Sequence, residues 1–260
     1  MLFTTSQIAA WIGDFFWPFI RIGMMFAVVP VFGGRLVPMR VRIILALAVT
    51  MVLVPVIPPA PAVDPLSGAA LLITFQQLAI GMVMGFLIQL VFSALVLGGH
   101  TVAMSMGLGF ASMVDPQNGV QVPVVGQYYI TVATLLFLAL DGHLALIALL
   151  ADSFHSIPVG TLGVTRDNLW EVAAWGGRMF AGGVLIAMPA VTALLLTNIA
   201  FGVVTRAAPQ LNIFGVGFPI TLTLGFVLIM FSLPSLLPQF SGLLEDAMGV
   251  ILRIGRTHGG

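Results

Sequence analysis

Residues 43–57 read IILALAVTMVLVPVI, a segment that carries no charged side chain and does not alternate polar with apolar residues. A helix needs about 20 apolar residues to cross the hydrocarbon core of a membrane, whereas membrane β-strands alternate over about ten residues. The chain therefore reads as an all-α integral membrane protein. Uncharged stretches of spanning length recur along it: Ile43–Val63, Leu66–Val114, Met179–Thr205 and Ala207–Leu244.

The overall composition supports the same fold class. Of 260 residues, 60% are hydrophobic and only 7% are charged, with a mean hydropathy of +1.15, and a soluble domain of this length needs more charge. We expect one membrane domain over residues 1–260, without a cleaved signal peptide, because no Lys/Arg-rich start is present. Six spans and a final amphipathic stretch are predicted, at roughly 7–30, 43–61, 70–98, 124–151, 175–203, 212–234 and 239–255.

Arginines predict the orientation of the spans. Those that follow the first and fifth predicted spans fall on one side of the membrane, and the positive-inside rule makes that side cytoplasmic. These arginines are Arg35, Arg40, Arg42 and Arg206. The chain must turn at SLPSLLPQF (Ser232–Phe240) if Arg253 and Arg256 are to return to the same side, and two prolines there favour a break.

The sequence contains no motif of a known catalytic site. HExxH, GxSxG and a P-loop are all missing, as is a GxGxxG at a strand-to-helix junction. The absence of Cys also excludes thiolate metal sites and cysteine nucleophiles. We predict a protein that is not an enzyme and has no cofactor, and without a basic tail it is not expected to bind nucleic acid.

Ionisable residues inside apolar segments are the default functional candidates. Asp14 and Arg21 are seven residues apart, about two turns along one helix face. They form a candidate intramembrane pair, and contacts to a neighbouring subunit or a proton relay are the alternatives. Asp141 and His143 have no third partner at a suitable spacing, so local capping or helix packing is the favoured interpretation.

An unusual apolar loop follows the third predicted span, with the sequence AMSMGLGFASMVDPQNG (Ala103–Gly119). Glycine permits a compact backbone and methionine fits irregular partners, while Asp-Pro and Asn-Gly pairs favour turns. A buried connector between helices is one interpretation. Another is a pore element, because a gate can close by steric contact without any charge. A stand-alone transporter also stays open, although no internal repeat is apparent.

Several segments resemble the flagellar biosynthetic protein FliR family, and the similarity covers essentially the whole chain. The proline-flanked arginines of Pro30–Arg42 fit the same family. Gly142-His143 and DSFHSIPVG (Asp152–Gly160) favour the flagellar branch over its virulence relatives. The segments are MGLGFASMVDPQNG (Met106–Gly119), LLFLALDGHLALIALLADSFHSIPVG (Leu135–Gly160) and RAAPQLNIFGVGFPI (Arg206–Ile220).

This resemblance implies a multi-pass, non-enzymatic subunit of the type III export gate, in the bacterial inner membrane at the flagellar basal body. In the family, one copy joins FliP and FliQ in a helical hetero-oligomeric core of kinked hairpins. FlhB and FlhA associate with that core, and membrane lipid surrounds it. On this chain the resemblance implies a FliP-like part at about 1–205, with a loop at 104–122, and a FliQ-like C-terminal helical hairpin at about 206–260.

The loop at 104–122 is implied to help close the channel through which unfolded flagellar proteins pass. The plug residues would be Met104, Met106, Gly107, Leu108, Gly109, Phe110, Ala111, Ser112 and Met113, followed by the turn residues Asp115, Pro116, Asn118 and Gly119. Phe110 and Met113 are the bulkiest of them. An equivalent subunit of a virulence secretion system and a scaffold without a gate are the remaining alternatives.

Overall fold

The structure of the chain, a computed structural model, describes residues 5–34, 37–108, 124–161, 163–208 and 217–256, with only the backbone of 5–10 and 256. Within these ranges it contains eight helices and no strand. The helices are α1 (Thr5–Val28), α2 (Pro30–Gly33), α3 (Met39–Leu53), α4 (Gly68–Ser105), α5 (Val124–Ala139), α6 (Gly142–Ser156), α7 (Arg166–Ala207) and α8 (Phe218–Arg256).

Four of the described helices are long and apolar enough to cross a membrane, namely α1, α4, α7 and α8. Helices α5 and α6 form a fifth candidate if they count as one broken span, since they meet at 68°. The break between them is a left-handed residue, Asp141, with φ of 54°. The predicted all-α membrane fold is confirmed.

The predicted span at 43–61 is too long. Helix α3 has 15 residues and therefore extends about 22 Å, which is shorter than the roughly 30 Å hydrocarbon core. The amides of Val56 and Ile57 bond back to the Leu53 carbonyl in a turn. Because proline cannot donate a backbone hydrogen bond, the Pro-rich link Pro58–Pro65 does not continue the helix.

The predicted turn at Ser232–Phe240 is wrong. Helix α8 runs without interruption over 39 residues and includes Pro234 and Pro238. Its length is about 58 Å, so Arg253 lies at the opposite end of α8 from Phe218. The turn that was expected to bring Arg253 and Arg256 back to the side of Arg206 is not present.

The described residues cluster into two compact units. The first contains Met1–Leu90, Phe137–Gly176 and Leu244–Gly260, and the second contains Val91–Leu136 and Gly177–Leu243. Each is described below by its own contacts.

In the first unit, α1 and α4 pack closely in parallel. A Cβ added to Gly81 would overlap the carbonyl oxygen of Arg21, and one added to Gly85 would lie 3.0 Å from the Met25 oxygen. The contact therefore advances by four residues on both helices. Small residues let helix backbones approach each other in this way, so the GMVMG segment (Gly81–Gly85) is a packing surface.

In the second unit, α4 packs against two helices, parallel to α7 and antiparallel to α8. A Cβ on Gly183 of α7 would lie 2.9 Å from the carbonyl oxygen of Ala94, and Asn198 donates to the Ser105 oxygen further along both helices. Helices α4 and α7 are therefore parallel. Helix α8 is antiparallel to α4, because Phe92 stacks edge-on with Phe240 and Thr221 donates to the Met106 oxygen.

Helices α7 and α8 contact each other within each unit. Gly182 lies against the Leu243 side chain in the second unit, and Arg253 Nε donates to Glu171 Oε1 at 2.9 Å in the first. Between these two contacts the residue number decreases along α7, from 182 to 171, and increases along α8, from 243 to 253. The two helices are therefore antiparallel. The connection between α7 and α8 lies between Ala207 and Phe218, and the predicted division into a FliP-like part and a FliQ-like hairpin stays a prediction.

Candidate functional site: the ends of the gate loop and the Arg21 network

The predicted gate loop begins at a fixed helix cap. Gly107 has φ of 85°, which glycine adopts without steric penalty. The Leu108 amide donates to the Ala103 oxygen and the Gly107 amide to the Met104 oxygen, both at 3.1 Å. This pair of bonds is a Schellman motif, which satisfies the last carbonyls of a helix. Gly107 therefore ends α4 and sets the direction in which the chain leaves it.

Met106, one of the predicted plug residues, lies inside the second unit against α8. It is fully buried in the second unit. Its side chain lies against the backbone of Gly225, where an added Cβ would come within 2.6 Å of Cε and 2.7 Å of Sδ. The Thr221 hydroxyl also donates to the Met106 carbonyl oxygen at 3.5 Å, a long hydrogen bond. Two groups of α8 thus hold the residue that precedes the cap.

Among the predicted plug residues, those up to Leu108 belong to the described part of the chain and those after it do not. Met104 is 54% exposed, so it differs from Met106 in being free to contact a partner. The remaining predicted residues lie outside the described part of the chain, and their roles stay predictions. They are Gly109, Phe110, Ala111, Ser112 and Met113 of the plug, and Asp115, Pro116, Asn118 and Gly119 of the turn.

The chain re-enters the described structure at Val124, the first residue of α5. Helix α5 is held on α4, since a Cβ on Gly99 would lie 3.0 Å from the Val125 oxygen. Helix α5 also borders an apolar groove of about 280 Å³ with α8, lined by Tyr128 and Met230 among others. Both described ends of the loop therefore lie beside α8.

Arg21 is the centre of a buried polar network in the first unit. The side chain is fully buried and contacts α4 and α6. Nε donates to Gln77 Oε1 at 2.8 Å, Nη1 to the Ser153 oxygen at 3.0 Å, and Nη2 to the Ile157 oxygen at 2.8 Å. Arg21 thus joins three helices of the first unit.

The acceptors around Arg21 are neutral, yet they suit a cation. Ser153 and Ile157 lie at the C-terminus of α6, which is the negative end of the helix dipole. The guanidinium carbon also lies 4.1 Å from the centroid of the Phe154 ring, a cation–π distance. A helix end and an aromatic face therefore take the place of a carboxylate.

Asp14 and Arg21 do not bond to each other. Asp14 Oδ1 accepts from the Ala60 amide at 2.7 Å, which ties the Pro-rich link to α1. The pair proposed from the sequence is therefore replaced by two separate contacts with different elements. Asp141 occupies the N-cap position of α6 as expected, but its side chain makes no capping bond. His143 Nδ1 is buried without a hydrogen-bond partner among the described residues.

The predicted cytoplasmic arginines have different environments. Arg42 donates through Nε to the Phe32 oxygen at 3.1 Å and so holds the connection between α2 and α3. Arg40 and Arg206 are exposed, and Arg35 lies outside the described residues. Their side of the membrane stays a prediction.

Sequence reasoning missed Gln77, Ser153 and Gly225 as contact residues. Gln77 is one of the few polar residues in an uncharged stretch of spanning length, and that scarcity was an available signal. Gly225 has no comparable signal, since its role depends on Met106 of another helix. In the part of the chain that is described, no group of three or more His, Asp or Glu residues could hold a metal ion.

Comparison with known proteins gives a consistent result. The family of bacterial export proteins, family 1, matches residues 12–247. The flagellar biosynthetic protein FliR of Pectobacterium carotovorum subsp. carotovorum is 39% identical over 242 residues, 93% of this chain and 92% of that protein. FliR of Escherichia coli K12 is 36% identical over 251 residues, 96% of each chain. FliR of Aquifex aeolicus is 30% identical over 88% of each chain.

The match extends over nearly all of the helices described above, including both ends of the predicted gate loop and every partner of Arg21. The resemblance seen in the sequence is confirmed, and the chain belongs to the bacterial export proteins, family 1.

Proposed function

We propose that this chain is the FliR-type subunit of a flagellar type III export apparatus and that it helps to form and close the export channel. The observation that carries the first part is the full-length similarity to flagellar FliR proteins. The long apolar helices support a multi-pass position in the inner membrane. FliP, FliQ, FlhB and FlhA are the proposed partners, and unfolded flagellar proteins are the proposed cargo.

The proposed mechanism is passive closure by the loop between α4 and α5. Its first end is fixed by the Gly107 cap and by buried Met106, and its second end is fixed by α5 on α4. Phe110 and Met113 supply bulky apolar side chains that can close a pore by contact and dewetting. Energy for transport comes from other subunits.

The double variant Phe110→Ala with Met113→Ala is expected to make the assembled gate leak ions. Burying one large apolar side chain contributes roughly 1.5–3 kcal/mol, and each 1.4 kcal/mol changes an equilibrium about tenfold. The open fraction should therefore rise about tenfold or more. The measurement is single-complex conductance in planar bilayers.

The matched control is Phe110→Leu with Met113→Leu, which keeps bulky apolar side chains and should leak much less. Unchanged conductance of the alanine variant, with normal assembly, would leave only a scaffolding role for the loop. Purification separates the remaining rival, because a stand-alone transporter should be functional without FliP and FliQ, whereas a gate subunit should purify in a hetero-oligomer.

A further inference from the structure

We propose that Gly225 of α8 is the positioning residue of the gate loop, a role that rests on the proposed function above. The absence of a side chain at this position creates the seat for Met106. Because Met106 directly precedes the Gly107 cap, the seat determines where the loop starts and in which direction it leaves α4.

The seat is specific in its geometry. A Cβ at residue 225 would meet three atoms of the Met106 side chain, Cγ, Sδ and Cε, so the thioether could not stay in place. One turn earlier on α8, Thr221 bonds the backbone oxygen of the same methionine. Met106 is thus held through its side chain and its main chain, and both contacts come from α8.

The second end of the loop is adjacent to the next turns of the same helix. Val124 and Tyr128 of α5 line one wall of the apolar groove, and Phe226, Ile229 and Met230 line the other. Residues 221–230 of α8 therefore border both ends of the loop. A displacement of α8 at this level would change the separation of the two ends, so the helix can transmit its position to the loop.

Glycine is less favourable than alanine inside a helix, and at residue 225 the missing side chain makes room for Met106. Gly242 of the same helix provides the comparison. A Cβ added there would have no neighbour within 4 Å. The two glycines share a helix and differ in whether a side chain can be accommodated.

The test is Gly225→Ala in the assembled export-gate complex, with Gly242→Ala as the matched control. We expect Gly225→Ala to increase ion conductance on the order of tenfold, since overpacking displaces Met106. Gly242→Ala should conduct like the wild type. Met106→Ala should leak as well, and adding Gly225→Ala to it should cause no further increase, because the side chain that clashed has been removed.

A second readout follows the loop itself. The chain contains no cysteine, so a single Ser112→Cys reports on the loop through its rate of maleimide labelling. We expect Gly225→Ala to change that rate and Gly242→Ala to leave it unchanged. If Gly225→Ala does not assemble, Thr221→Val is the milder variant, and it should shift both readouts in the same direction.

The outcomes separate this proposal from the proposed function. A leak in the Phe110/Met113 alanine variant together with wild-type conductance and labelling in Gly225→Ala, Thr221→Val and Met106→Ala would overturn the positioning role alone. Wild-type conductance in all of these variants, with intact assembly, would overturn the gate function itself.

Discussion

Replacing Arg21 with alanine should destabilise the protein by about 2–5 kcal/mol, because buried acceptors lose their donor and a cavity is left behind. The substitution leaves the Ile157 oxygen and the Gln77 amide oxygen without the donor that Arg21 supplies, while the Ser153 oxygen keeps its bond from the Ile157 amide. Each orphaned buried group costs roughly 1–3 kcal/mol, and a cavity adds to the cost. Denaturant unfolding of the detergent-solubilised chain measures the change.

Arg253→Ala is the matched control. Arg253 bonds a carboxylate, Glu171, but its side chain is 59% exposed, and exposed ion pairs contribute only about 0–1 kcal/mol. We therefore expect Arg21→Ala to lower the free energy of unfolding far more than Arg253→Ala, although only Arg253 has a carboxylate partner. Equal losses for the two variants would show that Arg21 does not join α1, α4 and α6 as described.

Gly81→Ala should cost about 1–3 kcal/mol and separate α1 from α4, because an added methyl group overfills the contact. The methyl group would meet the backbone of Arg21, with the carbonyl carbon 3.2 Å away, as well as Met24 Cβ at 3.1 Å. Backbone atoms cannot move aside as a flexible side chain can. The thermal unfolding midpoint of the purified chain should fall accordingly.

Gly23→Ala on α1 is the comparison for Gly81→Ala. A Cβ at residue 23 has no neighbour within 4 Å, so only the higher helix propensity of alanine acts, and it favours the folded state by about 1 kcal/mol. The two substitutions should therefore shift the midpoint in opposite directions. A fall of the same size in both would argue against close packing of α1 on α4.

The helices themselves could be predicted from the sequence. A charge-free apolar segment in a membrane must satisfy its backbone hydrogen bonds internally, and a helix does so. The continuity of α8 through Pro234 and Pro238 could not be predicted, since it depends on packing. Leu236 and Phe240 are buried on the same face of α8, and Phe240 stacks on Phe92 of α4. That contact keeps the helix continuous despite two missing backbone donors.

The candidate site could also be predicted only in part from the sequence. The run from Met104 to Gly107 lies at the end of α4, and composition could not distinguish the buried Met106 from the exposed Met104. Gly107 looked like a source of backbone freedom, and it is the fixed end of a helix. The partners of Arg21 come from residues 56 to 136 positions away, so no local pattern could identify them.

The most direct test of the central claim is to delete this chain in the bacterium that carries it and to measure flagellar proteins exported into the medium. An export-gate subunit predicts that export and swimming are lost and that both return when the chain is supplied again. Normal export of flagellar proteins in the deletion strain would contradict the account.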